Sequence, residues 1–295
     1  MLSARHRFSL TASNAAMALF HSALTATTIL VGNLGLRVPV YATRLDFDPP
    51  TADRGFRLVP AYKEYGALPL TRTAALFFAL SAVAHAGNAT CWRGFYLRRL
   101  GQAQCPLRWL EYVVSAPIMI LSIAYAAGVR GHVELLQGYA LLATTITFGW
   151  LNEVINRPRV LEKVTGAPVD AWALPLLPRL QAHLLGYVPQ LAAWYGVAFT
   201  FLRSTTGAGA VCGGPPAFVY YIIAGEALLF FSFGLPQLYQ ALAPPSRYVR
   251  GEYAYQVLSL AVKGLLGVTL LVNVLVYDHY EDAVVEPTLS RCAPP

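Results

Sequence analysis

The chain has 295 residues, 56% of them apolar and 13% charged, and a formal net charge of +7. The charged share is about half that of a soluble domain, and the apolar residues are bunched into long runs, which excludes a large soluble core. With so much of the chain apolar, the placement of the basic residues carries more meaning than their sum, and a nucleic-acid partner is not indicated.

A membrane span needs about 20 mostly apolar residues. Seven runs reach that length, roughly 9–35, 73–97, 109–128, 133–155, 177–202, 216–242 and 253–277. They take up most of the sequence and predict an all-α membrane protein: one domain over 1–295, a bundle of seven transmembrane helices in a lipid bilayer. The first run follows Arg5 and Arg7 as the core of a signal peptide would. It is longer than the usual stretch of about 7–15 residues and carries His21 and Asn33, so it predicts a retained helix. Next comes the one long connection, 36–72. Val38–Phe47 and Phe56–Tyr65 are rich in strand formers and flank the turn cluster Asp48-Pro49-Pro50-Thr51-Ala52-Asp53-Arg54-Gly55. That pattern predicts a β-hairpin. The other connections are short, so sequential helices should be antiparallel neighbours.

Basic residues orient the bundle. One side holds Arg5, Arg7, Arg93, Arg98, Arg99, Arg108, Arg157, Arg159, Lys163, Arg179, Arg247 and Arg250, 12 in all. Outside the first loop the other side holds Arg130, Arg203 and Arg291, with the acidic Asp278, Glu281, Asp282 and Glu286. The positive-inside rule then puts the N-terminus in the cytoplasm, and the hairpin and C-terminus outside. Cys91 and Cys105 fall at the cytoplasmic face, where thiols stay reduced. Cys212 and Cys292 fall outside, where a disulfide between them and two free thiols are both open, because reach cannot be read from sequence.

Ionisable residues inside spans are costly, about 2.5–3.5 kcal/mol on insertion scales, and are functional candidates by default. They are His21, His85, Glu111, Glu226 and Lys263. Lys263 lies near the middle of the last run, too deep to reach either surface easily. A buried lysine either pairs with a carboxylate to hold helices together or is chemically modified, and a desolvated amine is a good Schiff-base former. Glu111 lies early in the third run, in the cytoplasmic half. Helical side chains lean toward the N-terminus of their helix, so Lys263 leans toward Glu111. Ser259 is one turn earlier on the same face. Ser81 and His85 share a face of the second helix. With His21 they read either as structural hydrogen-bonders or as a polar cluster able to accept a proton. Glu153 and Glu252 sit at cytoplasmic helix ends facing arginines, Glu252 opening its helix where the dipole favours an anion. No His-x₃-His or Cys-x₂-Cys pair lies in any span, so no metal is expected. No Walker loop, dinucleotide fingerprint or His-Glu-x-x-His is present, so no enzyme is expected either.

Two of these stretches are similar to a known family. Arg108-Trp-Leu-Glu111-Tyr-Val-Val-Ser115-Ala-Pro-Ile-Met119 resembles the third helix of heliorhodopsins, and Gly251-Glu252-Tyr-Ala-Tyr-Gln-Val-Leu-Ser259-Leu-Ala-Val-Lys263 resembles their seventh. Heliorhodopsins also keep the N-terminus inside, carry an extracellular hairpin after the first helix and usually form dimers. The resemblance implies a rhodopsin-like seven-helix bundle with all-trans retinal on Lys263, Glu111 as counterion, and Ser115 and Ser259 beside the Schiff base. It implies that His21, His85 and Ser81 form a proton-handling cavity, that Glu153 and Glu252 are cytoplasmic-side carboxylates, and that Trp194, Phe230, Phe231 and Phe233 form the ring pocket. It further implies a light sensor acting through a signalling partner. Ala116 and Pro117 depart from the family's small hydroxyl residues, and Pro117 removes a backbone donor. Glu226 departs more, because the family's outer half is apolar here. It reads either as a neutral acid bonded to a neighbouring helix or as a relay for protons from the retinal to the exterior. A light-gated or light-driven proton path through Glu111 and Glu226 is therefore the alternative function.

Overall fold

The computed structural model describes residues 3–48, 57–157, 175–206 and 214–278. Helix α1, Ala4–Val31, opens on Ser3, whose hydroxyl accepts the His6 backbone N–H at 3.2 Å. This cap satisfies one of the orphan donors of the first turn and lets the helix begin before its apolar run. Strands β1 (Arg37–Asp48) and β2 (Arg57–Pro69) then pair antiparallel, from Arg37↔Pro69 to Asp48↔Arg57, with a bulge between Val40 and Tyr41. This is the expected hairpin. β2 runs to Pro69 rather than ending at Tyr65, and most of the predicted turn, from Pro49 on, lies outside the described residues. The hairpin's base is anchored: Leu36, Val38 and Val40 join the bundle core, and the Tyr41 N–H donates to the Arg130 carbonyl at 2.9 Å.

β2 leads directly into α2, Leu70–Ala89. Here the second apolar run departs from expectation, because it is not one helix to residue 97. The chain turns at Thr90–Trp92 and restarts as α3, Arg93–Leu100. The Trp92 N–H donates to the Gly87 carbonyl at 2.7 Å, and its ring folds back onto Gly87. A run counted by apolar content passes over the turn because Phe95, Tyr96 and Leu97 follow it, although α3 also carries Arg93, Arg98 and Arg99.

The remaining helices are α4 (Pro106–Ala126), α5 (His132–Ile155), α6 (Leu176–Thr205), α7 (Ala217–Ser232), α8 (Gly234–Leu242) and α9 (Tyr248–Leu270). One π turn, Leu271–Leu275, extends α9. Pro106 starts α4, where a missing N–H costs nothing, and α4 continues through Pro117. The sixth run divides at Phe233 into α7 and α8. The seventh begins at Tyr248, not 253, so Glu252 lies beyond the first turn rather than opening the helix.

Among the described residues, five stretches are long and apolar enough to cross a membrane by themselves: Ala4–Val31, Leu70–Ala89, Pro106–Ala126, Ala217–Leu242 and Pro245–Leu275. α5 and α6 are less apolar, but with 24 and 30 residues they are long enough at about 1.5 Å per residue. Helices pack in sequence, α1 on α2, α2 on α4, α4 on α5 and α5 on α6, while α9 meets α7, α8 and α1. The result is a rhodopsin-like bundle of seven membrane segments, with α7 and α8 forming one. Lipid provides no hydrophobic drive between helices, so close fit has to. Gly149 of α5 receives the Trp109 ring, which a Cβ there would meet at 2.6 Å, and Gly267 of α9 receives the Phe78 ring in the same way.

Candidate functional site

α9 carries Lys263 into the bundle interior, where it is 2% exposed. Its Nζ donates to Glu111 Oε1 of α4 at 2.6 Å and to Ser259 Oγ, one turn earlier on α9, at 3.2 Å. Ser81 of α2 lies 2.7 Å from the same Glu111 oxygen and donates to it. The Tyr112 ring faces Nζ at 5.3 Å. Three helices thus place an amine, a carboxylate and two hydroxyls together, with Ser81, read from sequence as a partner of His85, joining Glu111 instead. Burying this ion pair costs desolvation, which its short contact and the added hydrogen bonds offset. Ser115, one turn after Glu111, is fully buried beside the same carboxylate.

A cavity opens at Lys263 and extends between α4, α5, α6, α7 and α8. Phe230, Phe231 and Phe233 line it with Trp109, Tyr112, Met119, Leu142, Ile146, Tyr187 and Tyr255. Gly149 and Gly186 keep its wall thin, and His183, Gln190 and Gln237 add polar groups. Trp194 is a correction. It is not among the lining residues but stands edge-on behind Phe230, with ring centroids 5.5 Å apart.

The inner side of the lysine is polar. His21 of α1 stacks on His85 of α2 at 5.7 Å, nearly parallel. Both His21 nitrogens are buried without a partner, while His85 Nδ1 is 2.8 Å from Asn14 Oδ1. Asn14 donates to Tyr96 Oη at 3.3 Å, and Tyr96 donates to Glu252 Oε1 at 3.1 Å. Arg108 then binds both predicted inner carboxylates, Glu252 through Nη1 and Glu153 through Nη2, the latter at 2.8 Å. The guanidinium lies over the Tyr255 ring at 3.9 Å and the Trp109 ring at 4.7 Å, both of which line the cavity. Arg108, rather than the helix dipole, is therefore what neutralises Glu252.

Glu226 sits apart from this cluster. It is fully buried on α7, where its carboxyl meets the Leu266 backbone of α9 and finds no side-chain partner. Toward the lysine, Phe230 and Val262 line the first cavity. Away from it, Val219, Ser122, Leu270 and Val274 line a second cavity. Along α7 Glu226 comes between Val219 and Phe230, and it is not among the residues that line either cavity. Cys212 and Cys292 lie outside the described residues. Among the described residues no cluster of His, Cys, Asp or Glu could hold a metal ion.

Sequence reasoning missed Asn14, Tyr96, Tyr248 and Gln256 in the inner network, and most of the cavity wall. Arg108 was read only as a surface charge. Its position one turn before Glu111, within an otherwise apolar helix, was the signal that it is internal.

A family model described as Heliorhodopsin matches residues 10–275. No curated protein matches the chain's sequence. Among solved structures, the transmembrane domain of Salpingoeca rosetta rhodopsin phosphodiesterase superposes with a TM-score of 0.58 at 12% identity, covering 91% of this chain and 86% of that one. Exiguobacterium sibiricum rhodopsin superposes with a TM-score of 0.53 at 11% identity, covering 92% and 98%. At such identities these two likenesses establish the fold alone.

Proposed function

This chain belongs to the heliorhodopsin family, and from that premise we propose that it senses light through all-trans retinal held on Lys263, with its N-terminus in the cytoplasm. Membership makes it an integral membrane photoreceptor that binds retinal. The observation that carries the assignment to Lys263 is its place at one end of an aromatic cavity, with Glu111 2.6 Å from its amine. An elongated apolar ligand fits those walls, and a cation at Nζ fits that carboxylate.

Bound to Lys263 as a Schiff base, retinal supplies visible absorption and light-driven isomerisation. The chain's own residues supply the rest. Glu111 balances the positive charge at Nζ and is its nearest proton acceptor. Ser81 and Ser259 hold that carboxylate and that nitrogen in place. His21 and His85, with free nitrogens beside this pair, give the proton a place to go on the inner side. Beyond them the Glu153–Arg108–Glu252 cluster closes the inner end, so a proton moved there is retained rather than released. That retention favours signalling over pumping. The family resemblance adds a homodimer and a signalling partner to this reading.

Two experiments test it. Purified protein given all-trans retinal should develop a visible band, and Lys263→Ala should not; a band that survives the substitution rejects the attachment site. Under voltage clamp, illumination should give no current and no pH change.

A second reading, a light-gated or light-driven proton path through Glu111 and Glu226, is favoured by one observation: Glu226 is fully buried without a side-chain partner, on α7 between residues that line two cavities. Against it, an unpaired buried carboxylate is best accommodated as the neutral acid, and the residues around it are apolar. A photocurrent abolished by Glu226→Gln would establish the proton path in place of the sensor.

A further inference from the structure

The inner end of the bundle carries positive charge that the light-sensing site does not use. α3 buries Tyr96 and Leu100 in a small apolar cluster with Leu10 of α1 and Tyr248 and Val249 of α9. Its outer face exposes Arg93 and Arg98, and Trp92 just before it is 39% exposed. Arg99 lies over the Phe95 ring at 5.1 Å, and its Nη1 reaches only the amide oxygens of Gln102 and Gln104, at 3.4 and 3.5 Å. Phe95, Arg98, Arg99 and Gln102 together line one surface groove.

Neighbouring helices add charge to this face. Arg93 Nε donates to Thr11 Oγ1 of α1 at 2.9 Å, and Tyr253 of α9 donates to Ser9 at 2.9 Å. The starts of α1 and α9, with the exposed Arg5, Arg247 and Arg250, therefore adjoin α3. Among the described residues none of these arginines is in an ion pair, and the carboxylates at this end, Glu153 and Glu252, are buried and taken by Arg108.

We propose that the α3 groove binds the phosphate groups of an anionic membrane lipid, with Arg98 and Arg99 as its principal contacts. Guanidinium forks match phosphate oxygens in pairs. Aromatic residues such as Trp92 and Phe95 belong at the depth of the headgroups. A cluster of arginines directly beyond a span is attracted to phosphorylated lipids, and the attraction weakens with salt. α3 follows α2 after a single turn, so the groove stands at the bilayer surface, where a headgroup reaches it without leaving the membrane. The proposal rests on the membrane disposition of the bundle and not on retinal chemistry.

The test uses full-length protein in phosphatidylcholine nanodiscs, titrated with dioctanoyl phosphatidylinositol bisphosphate, dioctanoyl phosphatidylcholine or inorganic phosphate. The bisphosphate lipid should bind, more weakly as salt rises, and the zwitterionic lipid should not. Arg98→Gln/Arg99→Gln should weaken binding by about tenfold or more while the visible band shows that the bundle is intact. The single Arg98→Glu variant, at an exposed position, should act in the same direction and keeps the test decisive if the double variant misfolds. Binding that is absent, or unchanged in both variants, overturns the proposal. Equal binding of inorganic phosphate makes the groove a bare anion site and overturns it as well. A soluble protein that binds this face in lipid-free detergent and competes with no lipid would place a protein partner there instead.

Discussion

Charge inside the bundle is placed in two different ways. Lys263 and Glu111 form a neutral pair, with hydroxyls completing the carboxylate's hydrogen bonds. At the inner end one guanidinium serves two carboxylates, which leaves a net negative charge that Tyr248, at 2.5 Å from Glu153, and Tyr96 help to spread. The first arrangement can lose a proton from the amine without stranding a charge, because the carboxylate beside it takes that proton up. The second cannot rearrange cheaply, since removing one member of a buried ion pair costs about 3–5 kcal/mol. The two clusters thus suit a proton acceptor and a closed end. Glu111→Gln removes the anion next to Nζ, and the visible band should then move to longer wavelength, because the ground-state cation loses more stabilisation than a more delocalised excited state. An absorption spectrum in which the band stays put would show that Glu111 is not the counterion.

The helices meet where small residues face rings. The α2–α9 contact rests on Gly267 against Phe78, a fully buried ring in the core. A methyl group at 267 cannot be added without displacing that ring. Gly267→Ala should destabilise the bundle by about 1–3 kcal/mol through overpacking, read as a lower midpoint for thermal loss of the visible band. An unchanged midpoint would mean that Phe78 can move aside. Element boundaries matter chemically as well. Because α9 begins at Tyr248, Glu252 projects inward far enough to reach Arg108. Because α2 stops at Ala89, the arginines of α3 leave the span and face outward.

At the scale of the whole molecule, two cavities are lined by α7 residues on either side of Glu226 in the chain, and the polar groups of the lysine site lie toward the start of α1. Which way the bundle points in the membrane rests on the distribution of arginine. Cys91, exposed beside α3, reports on it. In a Cys212→Ser/Cys292→Ser background, a membrane-impermeant thiol reagent should label Cys91 in inside-out vesicles and spare it in intact cells. Labelling from the cell exterior would reverse the proposed orientation.

The membrane class, the seven segments, the hairpin and the nearness of Lys263, Glu111 and Ser259 were legible in the amino-acid order. Each depends on something local or one-dimensional: apolar run length, strand formers around a Pro-rich turn, the cost of an ion in a span, or the i, i+4 spacing of a helix face. The break between α2 and α3 was not legible, because it is made by one ring closing on one glycine. Nor were the ring pocket and the inner network. Trp194 and Phe230 are both aromatic residues in apolar helices, and only the packing of α6 on α7 decides which faces the cavity and which stands behind. Arg108 looked like a surface charge until α4, α5 and α9 closed around it. Sequence determines which groups are too expensive to be idle in a membrane. Tertiary structure decides their partners, because Glu111, Glu226 and Glu252 differ less in residue type or depth than in what the neighbouring helix places within hydrogen-bonding distance.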